Sequence, residues 1–116
     1  MKLIRFFRRI AGFIFAIAPR NAFKNLEYKY KFKDDVPDKL KDDTIYFIGE
    51  DPYFYQFVML CPCKCGNILH MNLVPDTKPV WSYTFNHDKV SFSPSVHREI
   101  GCESHFFIKN SRILWC

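Results

Sequence analysis

The sequence predicts a mostly β fold: a small antiparallel β-sheet domain with two metal-binding knuckles, zinc-ribbon-like or Rieske-like, plus an N-terminal amphipathic helix. Three observations lead there. From Thr44 on, short runs of β-branched and aromatic residues alternate with turn residues. Cysteines recur on alternate residues in Cys61-Pro62-Cys63-Lys64-Cys65-Gly66. A second cluster, Gly101-Cys102-Glu103-Ser104-His105, follows near the end.

Length and charge narrow the classes. At 116 residues the chain makes one domain with a tail. Its 13 Phe, 6 Tyr and 2 Trp bury much area per residue, so a short chain can still build a core. The net charge is +5, but Lys2, Arg5, Arg8, Arg9, Arg20 and Lys24 carry the excess. The remainder is near balance, which argues against specific nucleic-acid binding by the domain. Five cysteines is an odd count for a disulfide framework. Neighbours in Cys-x-Cys also bridge each other poorly, so reduced, metal-bound thiols in a cytoplasm fit better.

The chain divides into a basic helix at 1–24, a polar connecting segment at 25–43 and a Cys/His metal-binding β domain at 44–116. In the first part Ile4, Phe7, Ile10, Ile14 and Ile17 recur at helical spacing, and Pro19 ends the run. Three readings compete for it. It packs on the domain or a partner; it lies on a membrane surface through residues 1–18, making a cytoplasmic protein membrane-associated; or it is a secretory signal, which would oxidise the thiols. In the connecting segment Tyr28, Tyr30 and Phe32 alternate with lysines, as on an edge strand. A short turn or helix is expected around Pro37–Leu40.

Strands follow in order. Thr44–Ile48 is closed by Gly49 and Pro52, and the apolar run Phe54–Leu60 reads as a central strand. Asn67–Leu73 places Leu69, Met71 and Leu73 on one face and Ile68, His70 and Asn72 on the other. Val80–Phe85 turns at Asn86-His87-Asp88 into Lys89–Ser93, with Val90 and Phe92 inward. His105–Lys109 and Arg112–Trp115 form a hairpin across Asn110-Ser111.

Zinc takes thiolate and imidazole ligands in a tetrahedron, and a glycine lets the backbone curl round the ion. The expected ligand set is Cys63, Cys65, Cys102 and His105, with Cys61 in reserve because Pro62 separates it and it ends a buried strand. An iron–sulfur cluster is the second choice, since a Rieske first knuckle would want a His where Cys65 stands. Buried apolar filling explains Cys61 or Cys116 alone, but not four thiols beside turn residues. Candidate catalytic groups are Glu103, as a base on a zinc-bound water, and His70. Ser93, Ser95 and Ser104 are also candidates, with His70 or His97 as base for Ser93 or Ser95. Against them, Ser-Pro-Ser is commonly a turn and a lone strand His a surface residue. Ligand count separates the classes: three protein ligands plus water suit a metallohydrolase, whereas four closed ligands suit a structural module or a serine mechanism.

Three stretches carry a family resemblance: Leu60-Cys61-Pro62-Cys63-Lys64-Cys65-Gly66, Val90–Val96 around Ser93-Pro94-Ser95, and Gly101-Cys102-Glu103-Ser104-His105-Phe106 through Trp115. The chain resembles a family of small bacterial proteins, long known only as a domain of unknown function and encoded beside ubiquitin-like conjugation systems. The resemblance covers roughly residues 36–116. Lys64 departs from the small residue often found there, and residues 1–24 lie outside the pattern. The resemblance implies a peptidase that processes or deconjugates a ubiquitin-like modifier in a bacterial, antiviral-defence setting. It implies a ubiquitin-like protein and its conjugation enzymes as partners. Zinc-dependent hydrolysis is the leading expectation, and a non-enzymatic zinc module that docks the modifier is the alternative.

Overall fold

The computed structural model describes residues 26–99 and 101–116. The expected helix at 1–24 lies outside them. Eight strands run in chain order: β1 (Lys29–Lys33), β2 (Thr44–Glu50), β3 (Tyr53–Leu60), β4 (Ile68–Asn72), β5 (Ser82–Asn86), β6 (Lys89–His97), β7 (His105–Lys109) and β8 (Arg112–Trp115). They form two four-stranded sheets, ordered β1-β2-β3-β4 and β5-β6-β7-β8. Both orders follow the chain, as short connections favour.

Alternation explains the layering. In β2 Ile45 and Phe47 face inward, in β3 Phe57 and Met59, in β6 Val90, Phe92 and Val96, and in β7 Phe106 and Ile108. These inner faces meet in one core, where Phe57 stacks on Phe92 with ring centroids 3.8 Å apart. The result is a sandwich of two sheets.

The antiparallel expectation needs one correction. β1 pairs with β2 in parallel, Lys29 opposite Thr44 through Lys33 opposite Ile48. A parallel neighbour requires a crossover. Residues 34–43 supply it as irregular chain with no helix at Pro37–Leu40. Val36 and Leu40 lie over Tyr46, Ile48 and Val58 on the outer face of the first sheet. The segment expected as a polar connector thus holds the expected edge strand and also contributes a small second core.

Turns close the hairpins as the residue types require. Asn110 and Ser111 join β7 to β8 with φ of 50 and 64, the two left-handed residues that a tight hairpin needs. Ser111 is fully buried, and Val90 N–H donates to its Oγ at 3.0 Å. Its own N–H donates to the Val90 carbonyl at 2.7 Å, and its carbonyl accepts Tyr28 N–H at 2.7 Å. One turn residue therefore joins the start of the described chain to β6 and β8. Ser111→Gly keeps the left-handed turn and removes only the hydroxyl, leaving Val90 N–H buried without a partner. It is expected to lower unfolding free energy by about 1–2 kcal/mol in chemical denaturation.

Candidate functional site

Two centres adjoin at the end of the sandwich where β3 stops and β7 starts. The first is sulfur. β3 delivers Cys61 into a tight loop in which Lys64 N–H donates to the Cys61 carbonyl at 3.1 Å. Cys61 N–H donates to the Asn67 carbonyl at 2.9 Å and closes the loop onto β4. Lys64 and Gly66 have φ of 73 and 88, which curls Cys63 and Cys65 back toward Cys61. A Cβ on Gly66 would meet nothing within 4 Å, so glycine serves the backbone angle there, not space. The second knuckle, between β6 and β7, also turns on left-handed residues, Gly101 and Glu103, with φ of 85 and 55.

The knuckles converge. Cys61 Sγ lies 3.4 Å from Cys63 Sγ and 3.5 Å from Cys102 Sγ. The sulfurs of Cys61, Cys63, Cys65 and Cys102 all fall within 4.8 Å of one another. Thiolates bound at about 2.3 Å from one zinc stand roughly 3.8 Å apart, so these four residues fit a tetrahedral metal ion. An all-sulfur set suits zinc or an iron–sulfur centre.

The thiols differ in their electrostatics. Burial pushes Cys61 up to about 12 and also raises Cys63. The Ser104 hydroxyl, 3.0 Å from Cys102 Sγ, holds that thiol down to about 6. The Asn67 backbone N–H lowers Cys65. Arg98 Nη1 donates to Cys102 Sγ at 3.6 Å and sets a cation beside the most acidic thiol.

The second centre sits on the outer face of the second sheet. Phe92 pairs with Ile108, and the next pair along is Val96 with Phe106. Ser93, Pro94 and Ser95 therefore face Phe107 alone, so β6 bulges. The bulge follows a cis Ser93-Pro94 bond and puts the Ser95 Oγ 3.0 Å from His105 Nε2. The ring of His97, the cross-strand neighbour of His105, stacks on the His105 ring at 4.4 Å between centroids and 22°. From behind, Trp81 Nε1–H donates to the Ser95 carbonyl at 3.4 Å.

One residue joins the two centres. Ser104 is buried against the sulfurs, and its carbonyl accepts Arg98 N–H at 2.7 Å. His105 follows it directly, and strand alternation turns its side chain the other way, toward Ser95.

The ligand set read from the sequence thus exchanges one member. Cys61 stands in the sulfur group where His105 was expected, and His105 contacts Ser95 instead. Three alternate thiols plus Cys102 already make four donors, which leaves the histidine free for other work. That surplus was the signal available in the sequence. The remaining candidates lie elsewhere. Glu103 is exposed on the knuckle turn, and Ser104 bonds sulfur. Ser93 is exposed and pairs with Ser82 of β5. His70 is on the exposed face of β4, with Nδ1 3.3 Å from Gln56 Oε1.

No curated protein matches the chain, and neither does any solved structure. A family model does. A serine–histidine contact on one sheet face, next to a cluster of four thiols, is accompanied by a match over residues 32–116 to the family described as bacterial ubiquitination-like system serine protease (BubE), and the chain belongs to that family.

Proposed function

We propose that the protein is a serine peptidase that cleaves a peptide or isopeptide bond at the C-terminus of a ubiquitin-like modifier, with Ser95 as nucleophile and His105 as general base. The 3.0 Å contact between Ser95 Oγ and His105 Nε2 carries this reading. Ser95 Oγ attacks the scissile carbonyl as Nε2 takes its proton, and a tetrahedral intermediate forms. The same proton passes from Nε2 to the leaving nitrogen, the C–N bond breaks, and an acyl-Ser95 ester remains. Water, deprotonated by His105, then releases the acid and regenerates the serine. His97 is a positioning residue: its stacked ring limits rotation of His105.

In this reading Cys61, Cys63, Cys65 and Cys102 hold a zinc ion whose contribution is to tie the knuckles together. Four sulfur ligands would fill the coordination positions of a tetrahedral ion and leave no place for a reacting water. That is the reason for preferring a serine mechanism to the zinc-water chemistry first expected of Glu103 or His70. A docking module without catalysis would leave the bonded Ser95–His105 pair unexplained. Reduced thiols agree with a cytoplasmic setting.

Release of a reporter fused to the modifier's C-terminus tests the assignment. Ser95→Ala and His105→Ala are each expected to lose at least about 10³-fold in rate while bound metal per chain stays unchanged. His97→Ala is expected to lose about tenfold, and His97→Phe, which keeps a stacking ring, to recover most of it. For the metal, Cys61→Ser is expected to lower metal content, to reduce the melting temperature by on the order of 10 °C, and to lower activity in parallel. Brief chelation that leaves the metal in place is expected to leave the rate untouched.

A further inference from the structure

We infer that the substrate is bound as an added β-strand, an extended polypeptide tail lying in a slot between β4 and β6 and held through its backbone beside His97. The inference rests on the serine-peptidase reading and says how that site takes its substrate. β5 begins at Ser82, which pairs with Ser93, so beyond the bulge no strand among the described residues pairs with β6 on that side. The hydrogen-bond phase follows from the register. Arg98 N–H bonds Ser104 and Val96 pairs with Phe106, so these residues turn their backbone groups toward β7. His97, lying between them, turns its N–H and C=O to the open side. The Ser95 carbonyl shares that phase, and it accepts the Trp81 indole.

β4 is the edge of its own sheet and shows the same pattern. Cys61 N–H bonds the Asn67 carbonyl and Leu73 N–H bonds the Tyr55 carbonyl, so odd-numbered β4 residues face β3. Ile68, His70 and Asn72 then face outward. Asn72 confirms the phase, since its carbonyl accepts Trp81 N–H at 2.9 Å. Among the described residues, nothing bonds the backbone groups that His70 and His97 turn to this side. Between them lies a cleft of about 590 Å³ walled by Ile68, His70, Pro79, Trp81, His97 and Arg98.

Such a cleft selects its occupant. An extended chain offers N–H and C=O at every second residue, which is what an unpaired strand edge lacks. A folded loop or helix does not. His97 is two residues from Ser95, about 7 Å along a strand, so a tail bonded at His97 brings a carbonyl to the nucleophile one dipeptide further on. Trp81 spans from Asn72 to Ser95 and ends the slot there, so the chain must leave it at the nucleophile. Specificity for a flexible terminal tail follows from backbone pairing alone.

Phosphonate labelling of the full-length protein tests this. The probes are diisopropyl fluorophosphate, the diphenyl phosphonate of acetyl-alanine, the same warhead on acetyl-tetra-alanine, and three isomers of the latter with one internal amide N-methylated. Mass spectrometry follows the adduct on Ser95, formed by attack of Oγ on phosphorus with loss of fluoride or phenol. The tetrapeptide is expected to label at least about tenfold faster than the single residue, and at least one N-methyl isomer to fall back to the single-residue rate. Equal rates for the tetrapeptide and the single residue would overturn strand addition, as would N-methyl isomers that all match their parent. Failure of the fluorophosphate to label Ser95 would remove the peptidase reading, and the slot's role with it.

Discussion

Convergence of four cysteine sulfurs on one point, with all pairs inside 4.8 Å, constrains everything around the end of the sandwich. Three of the thiols come from the loop after β3 and the fourth from the loop before β7, so the cluster fastens one sheet to the other. Ser104 bonds Cys102 and is the residue immediately before His105. The sulfur cluster and the His105 side chain are therefore separated by a single peptide unit. A metal ion would act on the chemistry only by holding that loop still.

The same end of the molecule departs from regular sheet in two useful ways. A bulge in β6 lifts Ser95 from the ladder, and the short β5 leaves the next stretch of β6 without a strand partner on that side among the described residues. Regular pairing over this stretch would cover that edge. Trp81 uses part of both exposed edges and leaves the rest open. Edges of this kind invite unwanted strand pairing. Here the exposed residues beside them include His70, His97 and Glu99, whose polarity offsets the exposed Ile68 and discourages aggregation.

The aromatic core makes these departures tolerable. Phe47, Phe57 and Phe92 stack across the two sheets right up to the start of the bulge. Phe92 is the last regular residue before the bulge and Val96 the first after it, and both are buried. Strand β6 is thus anchored on each side of Ser95.

Periodicity of two, β-branched and aromatic runs, and turn residues such as Asn110-Ser111 were enough to read six of the eight strands close to their bounds, the first half of β6, and β1 as an edge. The soft ligands were equally legible, because thiols at alternate positions beside glycine have few other uses. Three things depended on the third dimension. The parallel pairing of β1 goes with a crossover whose Val36 and Leu40 cover Tyr46, Ile48 and Val58, a contact between segments that show no shared pattern. The extension of β6 through Ser93-Pro94-Ser95 reads locally as a turn and becomes a bulged strand only because β7 is there to pair with it. Whether His105 joins the sulfurs or faces Ser95 depends on which way one strand residue points. Residue types set the available chemistry, whereas that direction is set by the pairing of β6 with β7, which local sequence does not encode.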